Sequence, residues 1–177
     1  MNDIKKTEAA SDSEFVITRL IDAPRERVWK AWTDEEQLKA WFGPKGSESI
    51  HARLDLRPSG IYHYGMRYAG VEVWGKWTLR EIVAPERLVF ISAFSDKEGG
   101  LGRHPLAPTW PQQMLSTVLF TDVGGKTLIT LKWSAFEATE AEAKTFRDGF
   151  DSMRQGWGGT FERLDAHLKE GTSTGEG

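Results

Sequence analysis

The spacing of apolar residues changes period three times along this chain. Glu14–Ile21 (EFVITRLI) is β-branched and predicts a strand. Asp22-Ala23-Pro24 stops it, and Pro24 suits the first position of a helix with Asp22 or Ala23 near its cap. That short helix, residues 25–32, presents Val28, Trp29 and Trp32. Thr33 predicts the N-cap of a second helix, with Glu36 three residues on completing a capping box. Gly43-Pro44 ends it.

From residue 47 to about 135 the pattern is β. Residues 47–56 alternate, and Arg57-Pro58-Ser59-Gly60 turns the chain into Ile61–Tyr68. There Tyr62, Tyr64, Met66 and Tyr68 fall on one face, with His63, Gly65 and Arg67 on the other. In Val71–Val83, Val73, Gly75, Trp77 and Leu79 oppose Glu72, Trp74, Lys76 and Arg80. Arg87–Phe94, residues 114–121 and Lys126–Ala135 complete the set, the last two flanking a hairpin loop at residues 122–125. Short turns between consecutive strands mean antiparallel pairing. Residues 95–112 break this rhythm with three glycines, three prolines, His104 and Trp110, and predict either a lid over a pocket mouth or a solvated loop.

Residues 139–170 switch to helical spacing. Phe146, Phe150, Met153, Trp157, Phe161, Leu164 and Leu168 lie within a sector of roughly 80° at 100° per residue. Glu142, Asp151, Arg154, Glu162, Arg163 and Asp165 are assigned to the polar side. This reads as one helix of about eight turns lying on an apolar surface. Four glycines (149, 156, 158 and 159) interrupt the pattern, each at a cost of about 1 kcal/mol relative to alanine. A close backbone approach, a kink, or an unfilled volume beside the helix accounts for them.

Length and composition predict one soluble domain, residues 14–170, between flexible tails at 1–13 and 171–177. Eight Trp and nine Phe supply large rings for a core or a pocket. A net charge of −3 without a basic run argues against nucleic acid or an anionic membrane as partner. The absence of cysteine removes disulfides, thiol nucleophiles and thiolate metal sites. No signal peptide or membrane span is read, so the expected compartment is the cytoplasm.

Catalytic patterns are sparse. Neither a nucleophile elbow nor a phosphate-cradling loop occurs, and His51, His63, His104 and His167 lack metal-ligand spacing. No metal and no cofactor is expected. His104 is the weak candidate for a catalytic base, because a loop histidine titrates near neutrality.

The opening FVITRLIDAPRERVWKAWTDEEQLKAWFGP resembles the START-like (SRPBCC) superfamily, and within it the branch named after activators of heat-shock-protein ATPase. Ala23-Pro24, Val28-Trp29, Thr33-Asp34 and Trp41-Phe42-Gly43-Pro44 carry the likeness. It continues through Arg57-Pro58-Ser59-Gly60, Gly75, Glu81, residues 85–88, Gly156-Trp157 and Leu164. Ser59-Gly60 departs from the two glycines common in the family. The resemblance implies an α+β helix-grip fold, with a curved antiparallel sheet of six or seven strands around the C-terminal helix and two short helices closing one end. It also implies a hydrophobic or amphipathic small molecule held between sheet and helix. Co-chaperone activity belongs to relatives with an additional N-terminal domain, which is not expected here.

The leading expectation is therefore a small-molecule-binding protein. Tyr62, Tyr64, Met66, Trp77, Phe90, Trp110, Phe146, Phe150, Met153 and Trp157 are the expected ligand-binding residues. A cyclase-like or hydrolytic enzyme, with His104, Tyr62 or Tyr64 moving protons, is the first alternative. A protein-interaction module is the second, and a homodimer is compatible with any of the three.

Overall fold

Alternating β-branched and aromatic positions in the middle of the chain build the sheet, and the periodic ends supply the helices that cover it. The structure, a computed structural model, describes residues 14–104 and 107–176, with side chains to residue 170. The expected tail at 1–13 lies outside the described residues. The elements run β1 (Glu14–Ile21), α1 (Arg25–Thr33), α2 (Glu35–Trp41), β2 (Glu48–Leu54), β3 (Ile61–Tyr68), β4 (Val71–Val83), β5 (Arg87–Phe94), β6 (Gln113–Val123), β7 (Lys126–Ala135), α3 (Glu140–Asp148) and α4 (Phe150–Glu176).

The strands form one antiparallel sheet in the order β1-β7-β6-β5-β4-β3-β2. β2 to β7 follow as a meander, whereas α1 and α2 carry the chain from β1 across to the opposite edge. Register shifts interrupt the β2–β3 ladder between Ser49 and His51, and the β4–β5 ladder between Leu79 and Glu81. Such extra residues bend and twist a strand, which curves the sheet around its covered face. Phe15 and Ile21 of β1 point to that face and are buried, while Val16 and Leu20 point away and are exposed. This is the helix-grip arrangement.

Three local readings shift. The predicted caps move by one position, because Pro24 itself caps α1 and Asp34 caps α2, its carboxylate accepting from the Gln37 N–H at 3.1 Å. Thr33 instead closes α1 by donating its hydroxyl to the Trp29 carbonyl at 2.8 Å.

The single long helix is in fact two. At Gly149 the chain leaves helical geometry with φ −96° and ψ 9°, and its N–H is shared between the carbonyls of Thr145 and Phe146. A side chain at 149 would stand 2.8 Å from the Trp110 ring, so glycine admits the indole to the junction. The stripe survives the break: Phe146, Met153, Trp157, Phe161, Leu164 and Leu168 are buried. α4 continues to Glu176, over part of the expected tail.

Glu142 leaves the polar side to which it was assigned. It continues the stripe one turn before Phe146 and is only 9 % exposed. Its carboxylate accepts from the Thr139 N–H at 3.0 Å, closing a capping box, and pairs with Arg103 at 2.9 Å. Those bonds hold its pKa below the usual carboxylate value.

Two sets of predictions follow from these helices. Gly149→Ala meets the Trp110 ring and should destabilise by about 1–3 kcal/mol, as overpacking does. Gly156→Ala finds nothing within 4 Å and should stabilise by up to about 1 kcal/mol through helix propensity. Denaturant melts of the two variants therefore move in opposite directions. Glu142→Gln keeps the capping geometry but loses the charge, costing about 1 kcal/mol at pH 7 because the Arg103 end is half exposed and screened. A depressed carboxylate stabilises fully above its unfolded pKa of about 4.3 and loses that contribution as pH falls through the folded value. The gap between parent and variant should thus shrink below pH 4 in thermal melts.

Candidate functional site

The turn after α2 sets the geometry of the space between sheet and helix. The Trp41 indole donates to the Ala31 carbonyl at 2.8 Å, fixing the end of α2 against α1. Gly43 then takes φ +126°, a conformation that favours glycine, and a side chain there would stand 2.7 Å from the Ser47 hydroxyl and 3.2 Å from Met66. Two α4 residues clamp the turn. The Thr160 hydroxyl reaches the Gly43 carbonyl at 3.1 Å, and the Arg163 guanidinium donates to the carbonyls of Gly43 and Pro44 and to the Ser47 hydroxyl at 3.2, 3.0 and 2.8 Å. Phe42 is left between the layers, with ring centres 5.1 Å from Tyr64, 5.2 Å from Trp77 and 6.3 Å from Trp157.

Around Phe42 the layers do not close. An inner chamber of about 140 Å³ lies over β4, β5 and β6, walled by Trp77, Phe90, Ser92, Phe94 and Met114. An outer groove of about 250 Å³ runs along α4, walled by Gly43, Pro44, Met66, Met153, Gly156 and Thr160. Phe42, Tyr64, Val73, Trp133 and Trp157 line both, so the two spaces adjoin. Together they reach the ~300 Å³ at which small-molecule pockets begin.

The walls are aromatic and uncharged. Among the described residues no histidine, carboxylate, lysine or arginine lines either space. Tyr64 lies across Gly75, its cross-strand partner, where a side chain would collide with the phenol. Burial raises the pKa of Tyr64, although the Trp77 side chain lowers it slightly, and burial followed by repulsion from Tyr64 raises that of Tyr62. Both phenols stay neutral across the physiological range.

Of the residues expected from sequence, Tyr64, Met66, Trp77, Phe90, Met153 and Trp157 line the space. Tyr62 does not. It packs behind the wall, its ring 5.1 Å from Tyr64 and 4.9 Å from Trp77. Phe146, Phe150 and Trp110 gather instead at the α3–α4 junction, Phe146 lying 5.9 Å from Trp110 and 5.5 Å from Phe150. Phe42, Val73, Trp133, Met114 and Ser92 are wall residues that the sequence reading did not select. For Phe42 a signal existed, since it precedes a glycine in a motif that ends a helix against another element.

No described residue of the 95–112 loop lines either space. Its first part is tied down, with Asp96 accepting from the Glu98 and Gly100 N–H groups at 3.0 and 2.8 Å and Lys76 donating to the Gly99 carbonyl at 2.8 Å. His104 packs behind the cavity wall, its ring 5.3 Å from Phe94, and burial lowers its pKa. His51 and His63 lie together on the outer sheet face beside Trp74, and His167 meets Gln37.

The fold recurs in solved structures. A Mycobacterium smegmatis protein superposes with a TM-score of 0.73 at 23 % identity, over 89 % of this chain and 91 % of its own. A Nitrosomonas europaea protein gives 0.72 at 24 %, over 92 % and 98 %. An Arthrobacter aurescens protein solved in solution gives 0.71 at 26 %, over 90 % and 88 %. No curated protein matches. No helix among the described residues is long and apolar enough to cross a membrane. The family model described as "Activator of Hsp90 ATPase homolog 1-like protein" matches residues 22–169, nearly the whole helix-grip core, and the chain belongs to that family within the START-like superfamily.

Proposed function

We propose that this protein binds a small, neutral, largely apolar molecule between the sheet and α4. One observation carries the reading: an unfilled space lined by aromatic residues, among them Phe42, Tyr64, Trp77, Phe90, Trp133 and Trp157, without a charged group among the described residues. Apolar walls favour apolar surface at about 25 cal/mol per Å². A charged ligand would lose its hydration there without a counter-ion. The inner chamber is close to the ~150 Å³ that admits a single benzene ring, and the groove along α4 accommodates a second ring or a short tail. The walls supply orientation and exclusion of water. They do not supply a proton-transfer group of suitable pKa, which disfavours the enzymatic alternative.

Neutral 2-naphthol and anionic 2-naphthoate, nearly equal in size, test the reading by quenching of tryptophan emission at pH 7. The neutral compound should bind at least tenfold more tightly, the equivalent of about 1.4 kcal/mol. Equal binding, or none of either, would count against the proposal. Gly156→Leu should place its side chain in the outer groove and weaken 2-naphthol several-fold, with the melting temperature held or raised by the gain in helix propensity.

A further inference from the structure

We infer that Ser92 is the polar recognition point of the inner chamber, and that the buried end of the ligand is one neutral aromatic ring bearing a single oxygen, as a phenol or an aryl ketone. The inference rests on the ligand-binding reading above and specifies it.

β5 turns Leu88, Phe90, Ser92 and Phe94 toward the covered face, and serine is the one polar member of that row. Ser92 pairs with Trp77 on β4 and Met114 on β6, which places it in the floor of the chamber. It is 6 % exposed, yet its hydroxyl makes no hydrogen bond to the described residues. Other buried hydroxyls find partners: Thr127 donates to the Ala23 carbonyl at 2.8 Å, and Thr160 reaches Gly43. Nor is the Ser92 oxygen sealed in by protein. The indole nitrogens of Trp32 and Trp133 are enclosed without a partner, and Ser92 is not in that condition. Its hydroxyl therefore opens onto the chamber.

A buried hydroxyl left unpaired is unfavourable, so something in the chamber should meet it. Water is a poor candidate, because a buried water needs two to four polar partners. Among the described residues Ser92 and Tyr64 carry the only side-chain oxygens of the chamber wall, and the Trp133 indole nitrogen, although unpaired, is enclosed. A hydroxyl both donates and accepts, so it pairs equally with a phenol O–H or a ketone oxygen. A carboxylate would need a cation that the walls lack. The chamber volume of about 140 Å³ limits the buried part to one ring.

Phenol and toluene differ by one hydroxyl in place of a methyl, and NMR titration of each into parent, Ser92→Ala and Ser116→Ala protein tests the assignment. Ser116 is buried on β6 with its hydroxyl turned to the Met114 carbonyl, outside the cavity wall. Ser92→Ala should weaken phenol on the order of fivefold, the yield of one net hydrogen bond, and leave toluene unchanged or tighter. Ser116→Ala should move neither. Acetophenone should follow phenol. If both probes bind and Ser92→Ala leaves their ratio unchanged, or weakens them equally, the inference is overturned while the cavity remains a ligand site. If neither probe nor 2-naphthol binds the parent protein, the ligand-binding reading and this inference fall together.

Discussion

The cavity depends on a wedge. Trp32, projected from α1, stands between the sheet and the last helix, stacked on Trp77 at 6.1 Å and 25° and on Trp157 at 6.0 Å and 14°. Trp41 and Phe120 hold it edge-on at 5.0 and 6.0 Å. An indole cannot be compressed, and close-packed interiors transmit such a spacing rather than absorb it. Trp77 and Trp157 are therefore kept an aromatic thickness apart where Trp32 lies between them. Beyond its edge Phe42 reaches into the same gap, 5.2 Å from Trp77 and 6.3 Å from Trp157. The unfilled volume is thus built into the packing by three tryptophans and is not a lapse in it.

The same wedge shows why the fold was more legible in the sequence than the site. Alternation defines a strand from its own residues, and β1, β3, β4, β5 and β7 begin and end where their patterns do. Helix-grip topology followed from the family resemblance, which rests on the combined order of short motifs from Ala23-Pro24 through Trp41-Phe42-Gly43-Pro44 to Gly156-Trp157. A cavity is different, because it exists only where two elements fail to meet. The apolar stripe of the last helices is continuous from Phe146 to Leu168, and nothing in its spacing tells which residues touch the sheet and which face a gap. Only the middle, Met153 and Trp157, borders the cavity. Phe146 and Phe150 are drawn to Trp110 at Gly149, a long-range contact invisible to periodicity.

Register explains the rest. Tyr64 and Met66 of β3 line the cavity, but the expected tyrosine row does not act as one surface. Tyr62 is sealed behind Tyr64 and Trp77, and Tyr68 runs out past the covered region to be exposed. Trp133 and Met114 enter the wall because β6 and β7 pair where they do, with Ser116 opposite Trp133. A one-residue slip would exchange both faces.

Two cross-strand pairs decide how much room remains. Gly65 faces Trp74, and Tyr64 faces Gly75, on neighbouring positions of β3 and β4. The pairs point to opposite sides of the sheet, so each glycine is covered by the aromatic ring of its partner, Trp74 outside and Tyr64 within. Glycine alone weakens a strand, and an aromatic laid across it restores the lost contacts. On the cavity side the consequence is geometric. With no side chain at Gly75, Tyr64 lies down against the sheet instead of standing upright toward α4. An upright ring would fill the chamber beneath Phe42, and a reclining one floors it. The glycine in β4 thus does for the sheet what Gly156 does for α4: each withholds a side chain where the wedge of Trp32 has already separated the layers, and the space is left lined by rings and one unsatisfied hydroxyl.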